Sequence, residues 1–350
     1  PAKISTFVLI GQVAMLIRRG GPQNGNVRND IGKVQPCIAA KFHPRHDRRS
    51  GTRSIHRTAF ADRIDKGLKT NLIAAIRTDA VAGLTSGQIG AMSTAQIVQI
   101  SSQQIGAFST EQIAAISTDD VSALTGRQIS AMSTTQMRAL TTNQIVALKP
   151  SQVVSIPTQS MAALDGDQVA AFTAAQVAYL TSSQMGSLTS DQIGALTTTQ
   201  VSELKAAQLA AISTSALSGF DSDQIAAFSA VQIGGMKTEQ IAAFSTAQIA
   251  AIESQDIRGL TRQQVTALRS DQVGGLTSDQ VTAFNATQLA ALETEDLIAL
   301  STDNIAALTT GQMAAFTSAQ ISNLTTDQIV ALETEDLGML KGTQIVALQS

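Results

Sequence analysis

The sequence predicts an all-α solenoid: a superhelix of short capped helices, one per eight residues. Three observations carry that prediction. Every eighth residue from Leu68 to Leu348 is apolar, and no insertion or deletion breaks the count. Within the period a hydroxyl residue stands three places before a glutamine, the spacing of a helix capping box. A fixed short period also means that each unit buries its face only against neighbouring units, the condition that produces solenoids.

With positions lettered a to h from Thr85, a and b are mostly Ser or Thr, c is variable or acidic and d is Gln. Position e is Ile or Val, f small or polar, g Ala, and h Leu, Phe, Ile or Met. Thr85–Met92 and Ser93–Ile100 show the pattern. A continuous helix cannot hold it, because eight residues rotate about 80° beyond two full turns and the apolar stripe would wind around the cylinder. A β-solenoid is the alternative. Against it stand Ala at g and Gln at d, both weak strand formers, and the adjacent apolar g and h, which break strand alternation.

The order within the octad then assigns each residue a task. In the 33 octads from Thr85, d is Gln 26 times and a is Ser or Thr 21 times, so the box is the rule. The hydroxyl at a accepts from the N–H at d, and the Gln reaches back to the N–H at a. Of the 23 acids after Leu68, 13 sit at c, at the positive end of the helix dipole. Pro150 falls at b, the first helical position, where a missing N–H does no harm. Each helix is expected to run from b to g, with e and h on its inner side. Where a is Glu or Lys (Glu253, Glu293, Lys237), the Ser or Thr at b is expected to take over the cap and slide the start by one residue. Burying one octad's Ile, Leu and Ala yields on the order of 5 kcal/mol, against about 8–16 kcal/mol to order eight residues. Only stacking closes that gap, with Ala at g permitting close approach between turns.

Composition divides the chain. The 350 residues carry a net charge of only -3, yet residues 1–68 hold 13 Lys and Arg against 4 acids, and residues 69–350 hold 11 against 23. All three His (His43, His46, His56) and Cys37 lie in the first part. The expected organisation is a basic, non-repetitive and poorly ordered segment at 1–68, followed by an octapeptide solenoid of about 35 units at 69–350. The apolar run Phe7–Ile17 is too short to span a bilayer, and Arg18-Arg19 follows it where a signal peptide needs small residues. No membrane span and no signal peptide are expected from this chain.

Candidate chemistry is sparse. The Gln ladder at d reads as capping and rung-to-rung hydrogen bonding, and the hydroxyls at a and b as caps. Asp165-Gly166-Asp167 and Asp221-Ser222-Asp223 resemble fragments of calcium loops without the remaining ligands. Cys37, His43, His46 and His56 match no zinc spacing, and Arg45, Arg48, Arg49 and Arg53 surround them. The Arg cluster lacks the aromatic interleaving of a nucleic-acid surface, so no nucleic acid is expected. The repeats hold no His or Cys and a single Tyr, Tyr179, so no catalytic, cofactor-binding or metal residue is predicted.

The run Leu300-Ser-Thr-Asp-Asn-Ile-Ala-Ala-Leu308-Thr-Thr-Gly-Gln-Met-Ala-Ala-Phe316-Thr-Ser-Ala-Gln-Ile321 resembles octapeptide arrays of large proteobacterial proteins. The resemblance covers about residues 69–350. Such arrays are labelled haem-utilisation or adhesion proteins, which implies a secreted or cell-surface protein. For haem, the array offers only Tyr179 and scattered Met such as Met92 and Met236 as axial ligands. The expected function is a non-enzymatic spacer, stalk or surface scaffold. The alternative is a binding module that uses the superhelical groove for a peptide, glycan or other polymer. Because residues 1–68 lack the period, deleting them should leave the melting transition of the array intact; loss of that transition would move the boundary away from Leu68.

Overall fold

The computed structural model describes residues 70–348. The basic segment 1–68, with Cys37, His43, His46 and His56, lies outside the described residues. Two compact units divide the chain, one ending at Leu140 and the other running from Thr141. The described residues of both are short helices and turns, with no strand. The β-solenoid alternative is thereby set aside.

The octad of Thr85 shows how each helix starts. Thr85 is extended (φ -78°, ψ 157°), and its Oγ1 accepts from the Gln88 N–H at 3.2 Å. Its own N–H donates to Gln88 Oε1 at 2.7 Å, completing the box. The octad of Ser117 shows how a helix stops. Leu124, at h, returns to extended backbone (φ -60°, ψ 146°), while its N–H bonds the carbonyl of Val121 at e at 3.2 Å. That bond spans three residues, tightening the last turn before the chain straightens into the next cap. No left-handed residue is needed, and no described residue has a positive φ.

The helices are shorter and less uniform than a b-to-g reading. Thr94–Ile97 has four residues, Ser86–Gly90 five and Thr118–Ala123 six. Nor does the cap slide. Lys237 and Glu293 are themselves the extended cap residues, and the helices begin at Thr238 and Thr294. Neither side chain caps, but the Lys237 N–H still donates to Gln240 Oε1 at 2.9 Å, so the reach-back half of the box fixes the start there. In the Glu253 octad the α-helix gives way to a 3-10 turn, Ile257–Gly259.

Stacking follows one rule inside each unit. A helix packs on the helix three octads ahead: Ser86–Gly90 on Thr110–Ala114 in the first unit, Pro150–Val153 on Ala174–Tyr179 in the second. Side-chain bonds from d reach 28 and 31 residues back, into the fourth octad behind. Each unit therefore winds with between three and four octads per turn. The core sits along e and h: Ile241 and Phe244 are both fully buried, and h residues such as Leu196 are 3% exposed. Aromatics add little beyond an edge-to-face contact of Phe220 and Phe228, with ring centroids 5.1 Å apart.

A second seam joins successive turns through small residues. A Cβ on Gly219, at g, would strike the backbone of Ser190, and one on Gly259 the backbone of Ala230. At f, a Cβ on Gly186 would come within 2.8 Å of the Ala211 carbonyl oxygen. The seam also takes in position b. Thr246, at b, is half-buried and faces Gly275, whereas Glu239, at c, is exposed.

These faces make a direct prediction. Replacing Ile241 and Phe244 together with Asp puts two unpaired charges in an aliphatic core, each costing several kcal/mol. Nearest-neighbour coupling should then melt the turns around residue 240 while more distant octads stay folded. Glu239→Ala should change stability by no more than about 0.5 kcal/mol. Octad-resolved hydrogen exchange reads the difference, and equal losses from both changes would mean that the inner and outer faces are misassigned.

Candidate functional site

The most regular polar group in the fold is the carboxamide at d, and it is buried: Gln136 is 3% exposed. Its oxygen accepts from the cap N–H of Ser133 at 2.8 Å. Its nitrogen donates to the carbonyls of Ile105 at 2.8 Å and Phe108 at 2.7 Å, which are e and h of the fourth octad behind. The second unit repeats this at Gln280, whose Nε2 meets the carbonyls of Ile249 at 2.9 Å and Ile252 at 2.7 Å. One side chain thus starts its own helix and satisfies the carbonyl end of another. The rung-to-rung reading of the ladder is what the structure shows.

The octads without Gln at d reveal what the carboxamide supplies. Asn304 is one methylene shorter; its Nδ2 bonds the h carbonyl of Leu276 at 2.9 Å, and its Oδ1 pairs with Ser278 Oγ at 3.0 Å. An Asp keeps the acceptor and lacks the donor. Asp120 Oδ2 accepts from its own cap hydroxyl, Ser117, at 2.7 Å. Asp256 accepts the Ala230 N–H at 2.7 Å, and Asp296 the Ser270 hydroxyl at 2.6 Å. Asp336 accepts the Glu333 N–H, yet its Oδ2 is buried without a partner. Burial, with Glu335 nearby, pushes its carboxyl above the ordinary range despite that N–H. Sequence reasoning passed over this set, although Ala216, Asp256, Asp296 and Asp336 recur at d every fifth octad.

The acids at c behave differently. The Ser109 hydroxyl, then its own N–H and Thr110, hold the exposed Glu111 carboxyl below its usual value. A hydrogen bond from Arg269 does the same for Asp271. Lowered carboxylates stabilise the fold above their unfolded values, and that help is lost as pH falls through the folded ones. Asp165 and Asp221, which resembled calcium-loop fragments, are N-caps that accept from Gln168 N–H at 2.9 Å and Gln224 N–H at 2.8 Å.

Two shallow hollows open in the second unit. One, of about 380 Å³, is lined by Arg258, Phe284, Asn285 and Gln312; the other, of about 420 Å³, by Phe220, Asp221, Phe244 and Arg269. Arg258 donates to the Ala283 carbonyl at 3.2 Å, and Arg269 to Asp271 and to the carbonyls of Ala242 and Phe244. Both guanidiniums thereby tie turns together. Among the described residues, no group of three or more His, Cys, Asp or Glu is placed to hold a metal ion, and no helix is long and apolar enough to cross a membrane. Met92 and Met236 are buried at h, and Tyr179 is exposed with the Lys205 ammonium 5.8 Å from its ring centre.

A ladder that links turns inside each unit, with no octad among the described residues set apart by converging reactive groups, defines a helical repeat array. The chain belongs to the ALTTAQ-repeat family, which matches residues 89–118, 113–150, 161–198, 249–286 and 289–326, just over half of its length. Each match opens at position e (Ile89, Ile113, Met161, Ile249, Leu289), so the family register and the structural one coincide. No curated protein matches the chain.

The double role of d predicts an order of effects. Thr277→Ala removes one cap acceptor and should cost about 1 kcal/mol. Gln280→Ala removes the reach-back acceptor, orphans the carbonyl of Ile252 and takes one of two donors from that of Ile249, and should cost about 2–4 kcal/mol. Chemical denaturation of the two variants checks the ranking. Equal costs would mean that capping alone accounts for the ladder.

Proposed function

We propose that this chain is a non-enzymatic structural array, a spacer, stalk or scaffold of a secreted or cell-surface protein. The observation that carries this reading is the use made of the polar side chains. The buried Gln at d, the hydroxyls at a and much of the arginine chemistry are spent on bonds within and between turns. What faces solvent at c varies through Gly87, Ala95, Gln103 and Glu111, and its acids answer the dipole of their own helix. Reactive chemistry needs a unique convergence of groups, and a repeat that treats each octad alike works against one. An array whose units couple mainly to near neighbours gains length without changing its interior, which suits a spacer. The basic segment 1–68, which lacks the octad period, is proposed as a separate part of this design.

The second reading is a binding module. Its support is the pair of hollows beside Arg258 and Arg269, which an acidic polymer would suit. Excising residues 173–204, four whole octads, separates the two. A spacer should keep cooperative melting while small-angle scattering records a shorter particle. It should also show no saturable binding on panels of glycans and peptides before or after the excision. Saturable binding that maps to one group of octads would replace the spacer with the binding module.

A further inference from the structure

We propose that the octad Glu333–Leu340 binds a bare monovalent metal cation of sodium size, held between the carboxylate of Asp336 and the main-chain carbonyls of Ile305 and Leu308. The site follows from the register of the d ladder. On one side of it, Gln328 donates to the carbonyls of Leu297 at 3.0 Å and Leu300 at 2.9 Å. On the other, Gln344 donates to the carbonyl of Phe316 at 2.7 Å. The same steps back from Asp336 lead to Ile305 and Leu308. Where Gln328 places an amide NH2 against two carbonyl oxygens and Gln344 against one, the register sets an anionic oxygen at Asp336.

That oxygen, Oδ2, is enclosed and unpartnered in a residue 2% exposed, while the other carboxyl oxygen accepts the Glu333 N–H as a Gln oxygen would. Other acidic octads escape the mismatch, Asp256 through the Ala230 N–H and Asp296 through the Ser270 hydroxyl. The residue in the register of Ser270 is Thr310, whose helix Thr310–Met313 packs against Thr334–Gly338 and carries no titratable side chain. The charge that acts on Asp336 is that of Glu335, in its own octad, and it is negative.

The chemistry selects the ligand. A set made only of oxygen atoms favours a hard cation over a soft one. Asn304, as short as an Asp, brings its Nδ2 to one carbonyl, that of Leu276. An Asp of that length brings an anionic oxygen toward carbonyl oxygens with no proton between them, and a cation supplies the missing positive charge. A proton would serve one carbonyl, whereas a cation is shared by the carboxylate and both carbonyl oxygens; that of Ile305 accepts the Leu308 N–H at 3.2 Å and keeps a lone pair for it. One carboxylate neutralises one positive charge, and a neutral buried pair costs less desolvation than a divalent ion with charge left over. Unwound carbonyls that close around sodium follow the same logic.

The test is a set of thermal melts of the full chain in sodium chloride and in tetramethylammonium chloride at equal ionic strength, the latter cation being too large to enter. Sodium should raise the melting temperature by about 2–4 °C, as ligand linkage requires. In Asp336→Gln the amide returns, so the sodium increment should vanish and the variant should melt above the parent in tetramethylammonium. Burial has raised the Asp336 carboxyl, so its protonated form favours the fold. Stability in tetramethylammonium should therefore fall as pH rises through that raised value, and the sodium increment should grow over the same window. Line broadening of sodium-23 resonance by the parent, and not by Asp336→Asn, gives a second readout independent of melting. A sodium increment that persists in Asp336→Gln would overturn the site. So would identical melts in the two salts, a gain from acid alone, or a larger gain from calcium than from sodium.

Discussion

The structure depends on the carboxamide at position d, which binds two helix ends at once. In helices of four to six residues, nearly every backbone group is an end group. A hydroxyl at a satisfies one donor, but the carbonyl at h, and the second lone pair of the carbonyl at e, are left facing the interior. The Gln amide of the fourth octad ahead meets them, as Gln136 meets Ile105 and Phe108. Each such bond adds only about 1 kcal/mol net, whereas an orphaned buried carbonyl costs about 1–3 kcal/mol. The ladder is therefore required by burial more than rewarded by bonding.

Other regularities follow from that requirement. For the amide to reach the fourth octad behind, turns must approach closely, so g and f hold small residues and Gly219 lies against the Ser190 backbone. For its oxygen to reach the cap N–H, residue a must be extended whether or not its side chain can cap, which is why Lys237 still stands at a helix start. The aliphatic e and h residues then fill the space the bonds enclose. Departures at d have local consequences: at Asp256 the carboxylate turns to the Ala230 N–H, and the α-helix of that octad is replaced by a 3-10 turn.

Much of this was legible in the sequence, because the octad repeats one local instruction. The period, the capping box, the acids at c and the inward e and h all rest on spacing, and spacing survives folding. The half-buried b position was not legible: contact between Thr246 and Gly275 joins octads three apart, and nothing within one octad signals it. The sliding cap at Lys237 failed for a related reason, since the reach of Gln240 outweighs the cap preference of Thr238. Of the candidate site, the Gln ladder was readable as rung-to-rung bonding. The orphaned Asp336 was not, because its meaning comes from carbonyls about thirty residues away.

The most direct test is hydrogen exchange of the glutamine side-chain amides, resolved by NMR. Gln136, Gln280 and the other d residues are locked between turns, whereas Gln103 and Gln263, at c, are exposed. The carboxamide protons at d should exchange orders of magnitude more slowly than those of Gln103 and Gln263, with protection matching the backbone of the e residues they bridge. Exchange at d as fast as at Gln103 and Gln263 would contradict the ladder as the bond on which the fold depends.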